Sequence, residues 1–213
     1  MLKEIGLYGS IDKVARAMAR LRLHEPPEGY YVAFSGGKDS CVVLDLCRRA
    51  GIKYDAHYNI TTVDPPELVD FIRRNGMGRF IVTGVRHAES AKRAKRKLVE
   101  TCSQHRSKRY LHPIIDWSDA EVWEYIRAYD VPYCPLYDEG FRRLGCVLCP
   151  YQSAKGMMRD AARWPKIAKA YERAFDRMIA KRRADGMPTE WQTGADVMRW
   201  WMGADHRAKE DER

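Results

Sequence analysis

Ser35-Gly36-Gly37-Lys38-Asp39-Ser40 sets two glycines, a lysine, a carboxylate and two hydroxyls between an apolar β-type run, Tyr31–Phe34, and a segment of helical character. Those residue types in that order can grip a phosphate or sulfate. Gly36 and Gly37 lack a Cβ, so the backbone can take positive φ and bring several N–H donors close to an anion. The helix entered through Asp39 and Ser40 aims the positive end of its dipole at the same spot, and Lys38 adds a mobile cation. The spacing differs from the Walker pattern, which needs a further glycine before Lys-Ser/Thr, and from the dinucleotide glycine triplet.

A second basic turn follows the apolar segment 79–85. Thr83-Gly84-Val85-Arg86-His87-Ala88-Glu89-Ser90 again carries a glycine and a cation out of a strand and into a helix-like stretch. Ligands of parallel sheets sit beyond the carboxyl ends of the strands, so both turns can face one ligand. Arg86 would clamp an anionic oxygen through its planar fork, with Glu89 orienting it or helping to hold a metal. An ordinary first turn of a basic helix is the bland alternative.

Six cysteines divide into two sets. Cys41 and Cys47 lie on the helix after the glycine loop and read as core residues. Cys102, Cys134 and Gly145-Cys146-Val147-Leu148-Cys149-Pro150 read differently: Cys-x-x-Cys before a proline is a common metal knuckle, and two more thiolates would complete a tetrahedral set. A redox dithiol or free thiols stay open as alternatives, and a structural disulfide does not suit a reducing compartment. His105, His112 and His206 show no ligand spacing. Trp191, Trp200 and Trp201 are expected to pack a core or an oligomer contact more readily than to stack on a base.

Ser35–Ser40 resembles the PP-loop of the adenine nucleotide alpha-hydrolase-like superfamily. The segment 83–90 is similar to the Gly-x-Arg-x-x-Glu/Gln-Ser stretch of sulfonucleotide reductases. Leu111–Trp117, Glu121–Ile126, Val131–Gly140 and Gly145–Cys149 resemble the later half of PAPS and APS reductases in their order of landmarks. The resemblance to the PAPS reductase family implies an α/β, doubly wound, mostly parallel sheet of Rossmann-like PP-loop type. It implies an adenine nucleotide (PAPS, APS or ATP) held by Ser35, Gly36, Gly37, Lys38, Asp39, Ser40, Gly84, Arg86, Glu89 and Ser90. Lys38, Asp39 and Arg86 would carry the catalytic charges, and Asp39 would bind Mg²⁺ if ATP is the substrate. A [4Fe-4S] cluster, or zinc in its place, would sit on Cys102, Cys134, Cys146 and Cys149.

Three departures accompany that likeness. Cys102 stands alone where APS reductases have adjacent cysteines, and Cys134 stands where they usually have asparagine. No cysteine follows Cys149, so a family-type attack on sulfur needs another nucleophile, Cys146 or Cys149 if no metal binds them. The stretch between Asn75 and Phe80 is shorter than in relatives. Function therefore divides between a sulfonucleotide reductase served by a thioredoxin-like reductant, an ATP pyrophosphatase-type sulfurtransferase acting on DNA or RNA, and a non-catalytic nucleotide or nucleic-acid binding module.

The elements that would position these residues follow from periodicity. Ile11, Val14, Ala15, Met18 and Leu21 recur at helical spacing, and Pro26, Pro27 and Gly29 break the chain before the first strand of the sheet. The helix from Ser40 to Ala50 stops at Gly51. Residues 53–61 read as a second strand, Pro65-Pro66 opens a helix, 79–85 is a third strand, and 110–115 a fourth. Ser118-Asp119-Ala120-Glu121 is a capping box. Beyond Pro150 the pattern is helical, interrupted near Trp164-Pro165 and Gly186-Met187-Pro188.

Residues 1–150 are expected to form the nucleotide-binding α/β domain, and 151–213 a helical extension. The chain has 213 residues, a net charge of +9 and a pI near 9.3, which favours an anionic partner: nucleotide, nucleic acid or acidic protein. The basic runs 92–97 and 181–183 read as solvated helix faces, with nucleic-acid contact as the sharper alternative. No apolar run nears membrane-spanning length and no signal layout opens the chain, so the expectation is a cytoplasmic protein, with no membrane partner and an oligomer possible.

Overall fold

The computed structural model describes residues 2–6, 9–58, 64–75, 81–101 and 109–203, with side chains described except at 71–75. The chain divides into two compact units, one of residues 1–60 with 66–144 and one of residues 61–65 with 145–213.

The first unit opens with an antiparallel pair, β1 (Lys3–Gly6) and β2 (Gly9–Asp12), that periodicity did not announce. Ile11, read as helical, belongs to β2. Asp12 then caps α1 (Lys13–Leu23), its carboxylate accepting from the amides of Val14 and Ala15 at 2.9 and 3.0 Å. β3 (Tyr30–Ala33) runs into the glycine loop and α2 (Lys38–Ala50), which closes on Gly51 at φ 66°. β4 (Tyr54–His57) pairs with β3 in parallel. α3 (Pro66–Asn75) starts on its proline, as the Pro-Pro signal predicts.

Val82 bridges Val32 on one side and Leu111 on the other, both in the parallel sense. Parallel pairing therefore passes from β4 through β3 and residue 82 to β6 (Arg109–Leu111), whose far edge carries the antiparallel β5 (Val99–Thr101). The expected third strand contributes one bridging residue, Val82, within residues 81–85, and residues 79–80 lie outside the described residues. The expected fourth strand stops at Leu111, because Pro113 has no N–H for a ladder and residues 112–117 fold into tight turns, Ile115 N donating to His112 O and Trp117 N to Ile114 O. α4 (Asp119–Ala128) follows.

Val32, Val42, Val43, Leu46, Cys47, Val82, Ile114, Val122 and Tyr125 have no measurable exposure and form the core beneath the loop. Cys41 joins them, as the sequence predicts for both helix cysteines. Two polar ties fix the helices around it. Tyr125 of α4 donates to Asp45 of α2 at 2.8 Å, and Tyr30 of β3 donates to the Leu21 carbonyl of α1 at 2.8 Å.

The turn leading into α4 is anchored to α1. Arg20 places its fork on both Asp116 oxygens at 2.7 and 3.1 Å, and Arg16 reaches Asp116 at 2.5 Å. Burial works to raise the Asp116 carboxyl pKa, but Arg20 and Arg16 outweigh it and hold the group below the ordinary carboxylate value. Gly84 is fixed by contact from the other side: a Cβ there would lie 2.9 Å from the Asp39 carbonyl carbon and Cβ, so only glycine lets the segment after Val82 approach the start of α2.

The second unit is helical: α5 (Ala154–Arg163), α6 (Pro165–Ala184) and α7 (Gly194–Trp201), with breaks where Trp164-Pro165 and Gly186-Met187-Pro188 predict them. Asp176 of α6 accepts from the Gly194 amide at 2.6 Å and ties α6 to α7. Trp201 packs against Tyr171 and Phe175, with ring centroids 6.3 and 5.7 Å away, which is the packing role expected of it. Trp200 is 39% exposed. Among the described residues, no helix is long and apolar enough to cross a membrane.

Two outcomes follow from the anchors of the first unit. Gly84→Ala should cost about 2 kcal/mol by overpacking, read in chemical denaturation; an unchanged midpoint would contradict the close approach. Asp116 has a folded-state pKa below its unfolded value, so its ion pairs stabilise the fold above about pH 4 and are lost as pH falls through the folded value. Asp116→Asn should therefore lower stability at pH 7 by about 1 kcal/mol, the pair being half-buried, and the gap to wild type should close in acid denaturation. A gap independent of pH would assign the loss to packing.

Candidate functional site

The glycine loop is shaped from within. Gly36 adopts φ 69°, and Gly37 is the N-cap of α2 with no side chain to satisfy the helix start. Ser40 folds back, its hydroxyl donating to the Gly37 carbonyl at 2.7 Å and accepting from the Ser35 amide at 3.2 Å. Ser35 Oγ lies 3.3 Å from Ser40 Oγ. The two serines are thus internal struts of the loop. The Lys38 amide donates to the Tyr137 hydroxyl at 3.0 Å. Among the described residues, the amides of Gly36, Gly37 and Asp39 donate to no protein acceptor. Three amides at the positive end of a helix form a nest for an oxyanion.

Two cations border this nest, and both are buried: Lys38 is 6% exposed and Arg86 3%. Arg86 Nε binds Asp39 Oδ1 at 2.6 Å, Nη2 binds Asp119 Oδ1 at 3.0 Å, and Nη1 donates to the Trp117 carbonyl at 3.3 Å. Lys38 Nζ reaches the same Asp119 oxygen at 2.9 Å and Asp39 Oδ2 at 3.5 Å. Burial tends to raise the Asp119 pKa, yet Lys38 and Arg86 prevail and keep the carboxyl ionised below its ordinary value. Tyr137 lies under Lys38, ring centroid 5.8 Å from Nζ, and burial pushes its phenol well above the usual range, so it stays protonated.

The expected residues separate by role. Lys38, Asp39 and Arg86 meet, and Gly84 permits their meeting. Arg86 was expected as an open clamp but has its fork occupied by carboxylates and a carbonyl. The helix expected after it is a three-residue 3-10 turn, His87–Glu89. Glu89 accepts from the Arg86 amide at 2.8 Å and also pairs with Arg93, so it orients the Arg86 backbone. Ser90 caps the next turn, accepting from the Arg93 amide at 3.2 Å. The run 92–97 is a 3-10 turn (Arg93–Lys95) and coil in place of a helix face; Arg96 pairs with Glu100 at 2.7 Å, leaving Lys92, Lys95 and Lys97 exposed.

Asp119 and Tyr137 were missed. Asp119 was legible as the second residue of a capping box, and that box forms: Ser118 Oγ accepts from Glu121 N at 3.2 Å, and Glu121 accepts from Ser118 N at 2.8 Å. The same position delivers Asp119 to Lys38. No pattern pointed to Tyr137. His112 is fully buried, its Nδ1 2.6 Å from the Thr83 hydroxyl, and burial with Arg96 nearby holds it neutral.

The cysteines are placed differently. Cys134 has no measurable exposure, and burial raises the thiol pKa of both Cys41 and Cys134, so neither is a thiolate at neutral pH. Cys102 and the short stretch 76–80 lie outside the described residues. In the second unit, Cys146 and Cys149 flank a turn in which Leu148 takes φ 58°. Three helices hold that turn by its backbone. Asp160 of α5 accepts from the Leu148 amide at 3.1 Å, Tyr171 of α6 donates to the Val147 carbonyl at 3.2 Å, and Trp201 of α7 donates to the Leu148 carbonyl at 2.9 Å. Both thiols are half-buried in a fixed turn, a donor pair suited to a soft or borderline metal. Among the described residues, no three His, Cys, Asp or Glu side chains form a metal-holding group.

Residues 73–152 match the phosphoadenosine phosphosulfate reductase domain family. The adenosine 5'-phosphosulfate reductase of Salinibacter ruber is 36% identical over 88 residues, 40% of this chain and 34% of the relative. The phosphoadenosine 5'-phosphosulfate reductase of Xanthomonas axonopodis pv. citri is 35% identical over 120 residues, 56% of this chain and 47% of the relative. The chain thus spans a third to about half the length of these curated relatives. The crystal structure of phosphoadenylyl-sulfate reductase from Candida auris, a phosphate complex, superposes with a TM-score of 0.51 at 17% identity, over 61% of this chain and 87% of that one, a likeness of fold. The chain is thus similar over residues 73–152 to the phosphoadenosine phosphosulfate reductase domain, and its parallel pair of strands with a glycine loop feeding α2 belongs to a fold like that of the Candida auris enzyme.

Proposed function

We propose that this chain binds an adenine nucleotide by its phosphate or sulfate end at residues 35–40 and acts on it as a sulfonucleotide, PAPS or APS. One observation carries the reading: three amides without protein acceptors beside two buried cations, Lys38 and Arg86, at the end of a parallel pair of strands. Such a nest binds an oxyanion without a metal. The doubly wound arrangement of helices on both sheet faces is the architecture this reading assumes.

In this proposal Gly36, Gly37 and Asp39 donate their amides to the phosphate next to the scissile bond, Ser35 and Ser40 brace the loop, and Lys38 and Arg86 stabilise charge that develops on the leaving group. The attacking thiolate comes from outside the loop, because Cys41 and Cys134 are buried as thiols. Cys146, Cys149 or a thioredoxin-like reductant would supply it. Burial of Cys41, Cys47 and Cys134 as thiols, the cysteines described in the first unit, also favours a second reading, ATP cleavage between the α and β phosphates for sulfur transfer to DNA or RNA, which needs only positioning and a cation. Asp39 would then hold Mg²⁺ and the exposed Lys92, Lys95 and Lys97 would meet nucleic-acid phosphates.

The knuckle of the second unit, Cys146 and Cys149, suits a [4Fe-4S] cluster or zinc; Cys102 and Cys134 are the further ligands expected from the sequence, and Cys134 would have to lose its proton on binding the metal. A cluster there would carry electrons, and zinc would hold the turn together.

Calorimetry with ATP, APS and PAPS, coupled to assays for sulfite and pyrophosphate, tests the nucleotide reading. Micromolar binding weakened at least ~tenfold by Lys38→Ala, through loss of a charge-assisted bond, is expected; sulfite release marks the reductase and pyrophosphate release the ATP enzyme. Absence of binding by all three nucleotides would overturn both. Anaerobic purification should yield coloured protein with iron and sulfide, and Cys146→Ser with Cys149→Ser should abolish both; colourless protein with one zinc replaces the cluster, and metal-free protein removes the metal proposal.

A further inference from the structure

One carboxylate oxygen, Asp119 Oδ1, lies 2.9 Å from Lys38 Nζ and 3.0 Å from Arg86 Nη2. It bridges the two cations the site offers to a ligand. The two carboxylates of this cluster differ in freedom. Asp39 is 21% exposed and sits on the start of α2, with Gly84 pressed against its backbone and Arg86 Nε 2.6 Å from its oxygen. Asp119 is 61% exposed, on the first residue of α4. The capping box of that helix uses Ser118 and Glu121 only, so turning the Asp119 side chain outward breaks no cap bond.

Charge counting makes the turn necessary. Lys38 and Arg86 are balanced by Asp39 and Asp119, so an anion entering while Asp119 stays would bring a third acidic group against two cations. Resting on the nucleotide reading above, we infer that Asp119 is a specificity-determining residue whose oxygen occupies the oxyanion position between Lys38 and Arg86, and that the ligand's terminal anion takes that position by displacing it into solvent. The site is thereby selective for ends with enough charge to compete with a carboxylate: a phosphate or phosphosulfate terminus displaces Asp119, and a weakly charged end does not. Asp119 does not touch the reacting atoms in this scheme. It sets which anions gain entry and how tightly they stay.

Isothermal titration of the full chain with inorganic pyrophosphate, and in parallel with ATP, APS and PAPS, tests the displacement. Asp119→Asn should bind pyrophosphate about tenfold more tightly than wild type, since the competing charge is gone. Asp119→Ser, which keeps a small polar residue at the helix start, should do the same. Asp119→Glu, restoring the charge, should return affinity toward wild type. Thermal unfolding of each variant confirms that it folds, and added pyrophosphate should raise the midpoint of Asp119→Asn more than that of wild type. Unchanged or weaker pyrophosphate binding in both neutral variants overturns the inference. Nucleotide binding that Asp119→Asn does not improve overturns the displacement alone, whereas no nucleotide binding by wild type overturns the reading it rests on.

Discussion

A guanidinium buried at 3% exposure is the constraint on which the first unit turns. A charge buried that deeply needs partners, and Arg86 finds them at the starts of two helices, Asp39 on α2 and Asp119 on α4, with the Trp117 carbonyl completing its fork. Each contact pulls a separate piece of chain to one point. The segment after Val82, the glycine loop and the turn before α4 are therefore positioned by the same charges that would meet a ligand. Gly84 removes the one Cβ that would hold them apart. A site assembled this way has its two cations fixed in place before any anion arrives, with Asp119 holding the position between them.

The second unit solves a different problem with the same economy of contacts. A leucine in the left-handed region is strained, and strain persists only where the surroundings over-determine it. Leu148 is held by an aspartate, and with Val147 by a tyrosine and a tryptophan, from three helices. The turn that carries Cys146 and Cys149 is thus rigid by construction, and the aromatic residues near the end of the chain find their use in holding it.

Local signals were readable and long-range ones were not. The glycine loop, the left-handed cap at Gly51, the capping box at Ser118 and the proline at the start of α3 depend on neighbours within four residues, so the sequence spells them out. The pairing of Arg86 with Asp39 joins residues 47 apart, and that of Lys38 with Asp119 a still longer loop; neither has a period to detect. Asp119 was hidden by its own local role, since an acidic residue in the first turn of a helix is already explained by the dipole. The hairpin of β1 and β2 escaped because Ile11 fits the helical spacing of Val14, Met18 and Leu21 equally well. The helix expected after Arg86 shortened to one turn because Glu89 and Ser90 turn back to cap the backbone.

The central claim is that the amides of Gly36, Gly37 and Asp39, flanked by Lys38 and Arg86, receive the anionic end of an adenine nucleotide. Amide chemical shifts of isotope-labelled protein during a nucleotide titration address it residue by residue. The account predicts saturable shifts concentrated at Gly36, Gly37 and Asp39, with the Arg86 side-chain Nε resonance moving in step. Saturable binding that leaves those three amides unmoved would place the nucleotide elsewhere and contradict the account.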